Sequence, residues 1–299
     1  VRGFPESRPS TRVALNTLPP YDYSIFDKQV FYRAFEGNVI KAADFELSRG
    51  CPYTCNYCVE SVIQNYYGFS ERNQLGVLRN FDQYLTCKDP LNIIKEMTTL
   101  NTLGINLLRC QDTNFLTIPR DLLMKLVQLK QASDLGHLQL YIETRPESIN
   151  PRSIRLLQEL NVIGVGMGLE TAAETYREQD LNRHSSLEKI KRAFSLLKSS
   201  GIKRSSYNII GLPSQSEEDI LATIELNKFI QPDNITVSYY SAFSGTISAI
   251  SSENTGEYSR SSLYSDSQLR TNPQTSLVSK ERLLYYKANF TRLCREPIH

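Results

Sequence analysis

Between about residue 40 and residue 245, short apolar runs alternate with amphipathic stretches. The runs Ala43–Ser48, Ile105–Cys110, Leu138–Glu143, Val162–Leu169, Ser206–Ile210 and Ile235–Tyr240 predict six strands. Between them, a helix opened by Pro90 puts Ile93, Ile94, Met97 and Leu100 on one face. Asp121–Ala132 gives a broader stripe of Leu122, Leu123, Leu126, Val127 and Leu129. Asn150-Pro151 supplies a cap and a first-turn proline, and a helix over Ser186–Ser200 stops at Gly201, which suits a left-handed terminus. After Ser216, Glu217, Glu218 and Asp219 stand at the positive end of a further helix. This order predicts parallel βαβ units and an α/β fold.

The ends are patterned differently. Ser244–Ser279 is serine-rich and predicts a long loop, packed or closing over a substrate. Ser279–Arg295 predicts a terminal helix that docks through Leu283, Leu284, Ala288 and Leu293. The expected organisation is a linker over 1–40, a core over 41–246 and an extension over 247–299. With 40% hydrophobic and 22% charged residues the chain can bury an ordinary core. It has no apolar run near the ~18 residues that suggest a membrane span. The balance of 34 basic and 32 acidic residues gives a net charge of +2, with no electrostatic footprint for nucleic acid or an anionic membrane. There is no secretory leader, so the expected location is cytoplasmic.

Chemistry enters with Cys51, Cys55 and Cys58, a C-x3-C-x2-C cluster that follows the first predicted strand. A closed structural zinc site takes four Cys or His ligands, and His137, His184 and His299 all lie far away in sequence. Six cysteines in 299 residues are too sparse for a disulfide framework. Three compact thiolates suit an iron–sulfur cluster with one iron left open. Cys87, Cys110 and Cys294 stand singly and are expected to be buried free thiols.

The cluster, with Tyr57 immediately before its third cysteine, resembles the signature of the radical S-adenosylmethionine (radical SAM) superfamily. The resemblance implies a partial (β/α)6 TIM-like barrel, open on one side. It implies a [4Fe-4S] cluster on Cys51, Cys55 and Cys58, S-adenosylmethionine on the fourth iron, and Tyr57 near the adenine. It further implies reductive cleavage to a 5′-deoxyadenosyl radical that abstracts hydrogen, and an external electron donor of flavodoxin or ferredoxin type.

Matches at later strand ends extend the resemblance. Asp112 and Asn114 stand where the family often carries a Gly-Gly-Glu segment, and they serve either the SAM amino group or the turn itself. Glu143 alternates with Ile142, so one faces a ligand while the other faces a helix, and Arg145 follows it. Glu170, in Gly166-Met167-Gly168-Leu169-Glu170, matches the strand-four acidic residue that contacts SAM, the alternative being a capping pattern of Thr171 with Glu174. Arg183 matches a base near the SAM carboxylate. Ile209 and Gly211 fit an adenine-binding segment, while Tyr207 and Ser214 depart from it. Phe243-Ser244-Gly245-Thr246 resembles a strand-six turn. No catalytic side chain is singled out.

Leu18–Asp27 resembles the linker that precedes the barrel in radical SAM proteins with a cobalamin (B12)-binding domain. There is no D-x-H-x-x-G segment here, so cobalamin is expected only of a longer parent protein, where it implies methyl transfer to carbon. The substrate expected is a small molecule or natural product. The alternatives are a tRNA methylthiotransferase-like enzyme and a non-enzymatic metal-stabilised module.

Overall fold

The computed structural model describes residues 12–35, 37–254 and 277–297. Strands β1 (Tyr32–Phe35), β2 (Asn38–Phe45), β3 (Leu107–Cys110), β4 (Gln139–Thr144), β5 (Val162–Glu170), β6 (Lys203–Ile210) and β7 (Asn234–Tyr239) lie side by side in chain order. From β2 to β7 every pairing is parallel, and β1 adds an antiparallel edge. The connections carry α1 (Val59–Tyr66), α2 (Pro90–Thr102), α3 (Arg120–Ala132), α4 (Pro151–Glu159), α5 (Leu187–Ser199) and α6 (Glu217–Ile230), and α7 (Lys280–Arg295) follows.

Side-chain caps fix where several of these helices begin. The Asp89 carboxylate accepts from Leu91 N ahead of α2, and Ser186 and Ser279 cap α5 and α7. Asn150 with Ser153 and Ser216 with Asp219 close reciprocal capping boxes on α4 and α6. Each such cap contributes about 1 kcal/mol.

The period-two alternation of the strands sorts their side chains onto two faces. Phe45, Leu108, Cys110, Leu140, Ile142, Val165, Met167 and Leu169 join a core with Met97, Leu126, Leu157 and Phe194 of the helices. On the opposite face Ala42, Arg109, Tyr141, Ser205, Tyr207 and Thr236, drawn from β2 to β7, line one cavity of about 550 Å³. Residues from both ends of the parallel run meet around that space, so the sheet is curled into a half barrel. Among the described residues the strand order runs from β1 to β7 without β7 pairing back, which leaves the barrel open.

Three expectations need revision. The first barrel strand starts at Asn38, not Ala43, and a hairpin with β1 crosses the expected boundary at residue 40. The turn between its strands includes Gly37 at φ +78°, and the half-exposed pattern of β1 gave no apolar run to detect. The serine-rich stretch after Ser244 contains a helix, Ile247–Asn254, with Thr246 Oγ1 accepting from Ala249 N; residues 255–276 of the expected loop lie outside the described residues. Helix α7 docks on β6, β7 and α6 through Leu283, Tyr286, Phe290 and Cys294, whereas Leu284 is exposed. Among the described residues no helix is long and apolar enough to cross a membrane.

Candidate active site

The three cysteines follow β2, at the carboxyl-terminal end of the barrel, where parallel α/β barrels place their chemistry. Cys51 and Cys55 are buried and Cys58 is half-buried at the start of α1. Two side chains four residues apart on α1 hold the loop backbone. Glu60 Oε1 accepts from Cys51 N at 3.1 Å and from Tyr84 OH at 2.7 Å. Gln64, fully buried, donates to the carbonyls of Cys51 at 2.7 Å and Tyr53 at 3.2 Å. Gly50 sits at φ +119°, a conformation glycine adopts freely, so the chain can turn into the loop.

Burial pushes the Cys51 thiol up to about 12 and Cys58 up to about 11. Loading a metal on these sulfurs therefore releases protons and calls for nearby positive charge. Arg145 supplies it. Its Nη1 lies 3.7 Å from Cys55 Sγ, its guanidinium stacks 3.6 Å from the centre of the Tyr53 ring, and Glu147 pairs with it at 2.5 Å. Burial pushes Glu147 up, but Arg145 and Arg183 outweigh it and hold the carboxyl below its ordinary value.

A second constellation stands beside the loop. Glu170 Oε1 accepts from Tyr57 OH at 2.9 Å and from Arg183 Nη1 at 3.0 Å; Arg183 Nη1 also donates to Tyr57 OH at 2.9 Å, and its Nη2 to Gly168 O at 2.8 Å. Glu170 and Arg183 are both buried. Burial lowers the Arg183 pKa, but Tyr57 and Glu170 more than reverse it and keep the cation charged. Glu170 has φ +61°, which folds its side chain back over Gly168, and a Cβ on Gly168 would collide with Glu170 Oε1. The short helix Glu174–Gln179 begins at Ala173 with no side-chain cap, so the capping alternative for Thr171 and Glu174 is not what forms.

Other residues from the sequence reading are placed as follows. Ile209 and Tyr57 pack against the same buried group of Leu181, Leu212 and Tyr240. Gly211, at φ +72°, turns the chain after β6, and its N–H donates to the buried Gln215 at 2.8 Å. Glu143 accepts from Tyr207 OH at 3.1 Å, Tyr207 meets Tyr141 OH at 3.1 Å, and burial raises the Glu143 pKa. Asp112 and Asn114 each engage one oxygen within the protein, while the buried Asp112 Oδ2 and Asn114 Nδ2 have no partner among the described residues. Asp112 Oδ1 accepts from Leu47 N, Ser48 N and Ser48 Oγ at 3.1, 2.6 and 2.6 Å, while Asn114 Oδ1 accepts from Thr144 Oγ1 at 2.7 Å. Asp112 shares its strand parity with the core residues Leu108 and Cys110, and Gln111 has the parity of the cavity-lining Arg109.

Glu60, Gln64, Glu147 and Gln215 escaped the sequence reading. Glu60 and Gln64 carried a usable signal, since both lie on one face of the helix that leaves the third cysteine.

Two buried guanidinium atoms around the loop, Arg145 Nε and Arg183 Nε, have no partner among the described residues. Such atoms are costly unless something binds them. Among the described residues no three Cys, His, Asp or Glu side chains converge on a single ion. A cubane makes a different demand, because each of its cysteines binds a different iron.

The sequence profile of the Radical SAM superfamily matches residues 45–226. The anaerobic magnesium-protoporphyrin IX monomethyl ester cyclase of Rubrivivax gelatinosus is 25% identical over 198 residues, covering 64% of this chain and 32% of the cyclase. The chain thus spans about a third of the length of that curated relative. Among solved structures, coproporphyrinogen III oxidase (HemN) from Escherichia coli, a radical SAM enzyme, aligns with TM-score 0.59 and 17% identity over 85% of this chain and 52% of that one. The radical SAM methyltransferase TsrM from Kitasatospora setae, bound to cobalamin and a [4Fe-4S] cluster, aligns with TM-score 0.58 and 18% identity over 73% of this chain and 38% of that one. These structural likenesses identify the half-barrel fold.

Proposed function

The chain belongs to the Radical SAM superfamily, and from that premise we propose that Cys51, Cys55 and Cys58 hold a [4Fe-4S] cluster while Tyr57, Glu170 and Arg183 receive S-adenosylmethionine beside it. The observation that carries the reading is the convergence of those last three side chains next to the cysteine loop, from positions more than a hundred residues apart. When bound, the pair supplies reductive cleavage of the sulfonium and a 5′-deoxyadenosyl radical for hydrogen abstraction.

The residues present suit those groups. The half-buried Tyr57 ring, packed with Ile209, offers a flat apolar wall for a purine. Glu170 is an acceptor for hydroxyl or ammonium donors, and Arg183 carries an unpartnered Nε beside a guanidinium fork suited to a carboxylate. Burial of Cys51 and Cys55 keeps water from the sulfur side. Glu143, held by Tyr207, has the strand parity of the cavity-lining Tyr141, which supports a polar role toward a ligand in the barrel interior. The cobalamin expected of a longer parent protein would be held by residues outside this chain, so no step here passes through it.

Anaerobic reconstitution with iron and sulfide tests the proposal. The expected result is a cluster whose spectrum changes on adding SAM and dithionite-dependent release of 5′-deoxyadenosine. Glu170→Gln should weaken SAM binding about tenfold, the loss of one charge-assisted contact, with iron content retained. A tightly held zinc ion indifferent to SAM would replace the enzyme reading with a metal-stabilised module.

A further inference from the structure

Arg145 is buried and aimed at one cysteine of the three. Its Nη1 is 3.7 Å from Cys55 Sγ, while Glu147, itself largely buried, pairs with Nη2 at 2.5 Å. The ring of Tyr53, from the cysteine loop itself, lies under the guanidinium carbon at 3.6 Å from its centre. The planar cation is therefore locked from two sides, and its remaining buried Nε has no partner. An arrangement that merely filled space would not need a buried cation, which is costly without compensation. A buried group of thiolates provides that compensation.

We propose that Arg145 sets the reduction potential of the cluster, acting through Cys55 as a positioning and electrostatic residue rather than as a SAM ligand. The inference rests on the cluster reading above. Three thiolates on a [4Fe-4S]2+ core carry a net charge of −1, and one-electron reduction takes it to −2. A fixed positive charge beside one sulfur, donating a hydrogen bond to it, stabilises the reduced state more than the oxidised one and raises the potential. Glu147 opposes this by bringing a negative charge to the same place, so the Arg145–Glu147 pair is a two-sided control. Removing each member should shift the potential in opposite directions. A purely structural pair would fail in the same direction from either side.

The test is an EPR-monitored potentiometric titration of the anaerobically reconstituted chain without SAM, normalised to iron content. Arg145→Gln should lower the reduced-to-oxidised ratio at fixed potential about tenfold, equivalent to a midpoint ~59 mV more negative. Glu147→Gln should move the midpoint to higher potential, and SAM affinity should stay within about twofold in both variants. An unmoved midpoint in Arg145→Gln with full iron content overturns the inference. So does a loss of SAM affinity with the midpoint unchanged, which would assign Arg145 to the nucleotide. Should Arg145→Gln fail to retain iron, Glu147→Gln decides alone, and a midpoint that does not rise overturns the proposal. A wild-type chain that forms no cluster overturns this inference and the cluster reading together, whereas a normal wild-type cluster with unmoved variants overturns this one only.

Discussion

Strand β5 presents two unlike faces. Toward the helices it offers Val165, Met167 and Leu169, all fully buried in the main core. Toward the barrel interior it offers Gly164, Gly166 and Gly168, and each missing side chain is replaced by a group from elsewhere. A Cβ on Gly164 would come within 2.7 Å of the Tyr141 ring, and one on Gly166 within 2.6 Å of Tyr207 Cζ. On Gly168 it would collide with the Glu170 carboxylate. One face builds stability by supplying volume, while the other builds the site by withholding it. Apolar pattern therefore reports the core, and the loss of pattern reports the chemistry.

The largest test of that division uses the cysteines. Cys55→Ala should abolish the cluster, measured as bound iron and sulfide after reconstitution. Cys87→Ala, whose thiol packs against the helix-side core, should keep it. Loss of iron in the second variant would show that the two sides are not separable.

A second test splits β5 itself. Met167→Ala should cost about 3 kcal/mol of unfolding free energy and leave SAM affinity unchanged. Gly168→Ala should do the reverse, because the atom it displaces is the far end of a flexible side chain. The fold should stay intact by circular dichroism, while SAM affinity falls at least tenfold as Glu170 is pushed from Tyr57 and Arg183. Equal stability losses in the two variants would contradict the comparison.

The smallest expected effect concerns Asp112, which clamps the cysteine loop from behind. Burial raises its pKa to about 6, above the ordinary 3.8. The folded state therefore binds this proton more tightly than the unfolded one. The resulting stability is full below about pH 4 and is lost as pH rises toward 6. Asp112→Asn should flatten that part of the melting-temperature profile of the cluster-free chain. An unchanged slope would place the titration elsewhere.

How much was legible in advance follows the same division. Most of the parallel strands were legible because their helix-facing residues are apolar, although β6 turns Ser206 and Asn208 to Asn227 of α6 instead; the caps at Asn150, Ser186, Ser216 and Ser279 carry short-range chemistry that tertiary context did not override. The β1–β2 hairpin was missed because β1 buries neither face. Tyr57, Glu170 and Arg183 were each identifiable singly by resemblance, but their mutual contacts were not, since local spacing says nothing about partners a hundred residues away. Asp112 was read as serving either the SAM amino group or the turn, because a carboxylate at a strand end suits both. Strand parity would have put it on the helix side, leaving Gln111 with the parity of the interior. Glu60 and Gln64 share one face of the helix that leaves the third cysteine, but spacing alone does not show the loop groups they hold.

The wall formed by Tyr57, Glu170 and Arg183 spans separations of 113 and 126 positions. Strands added one after another in chain order let the sheet grow as the polypeptide leaves the ribosome, at about 5–20 residues each second. The cysteine loop is thus synthesised several seconds before its arginine neighbour on the far side. A nascent chain cannot complete the buried contact of Tyr57, Glu170 and Arg183 until the segment beyond β5 has emerged and docked.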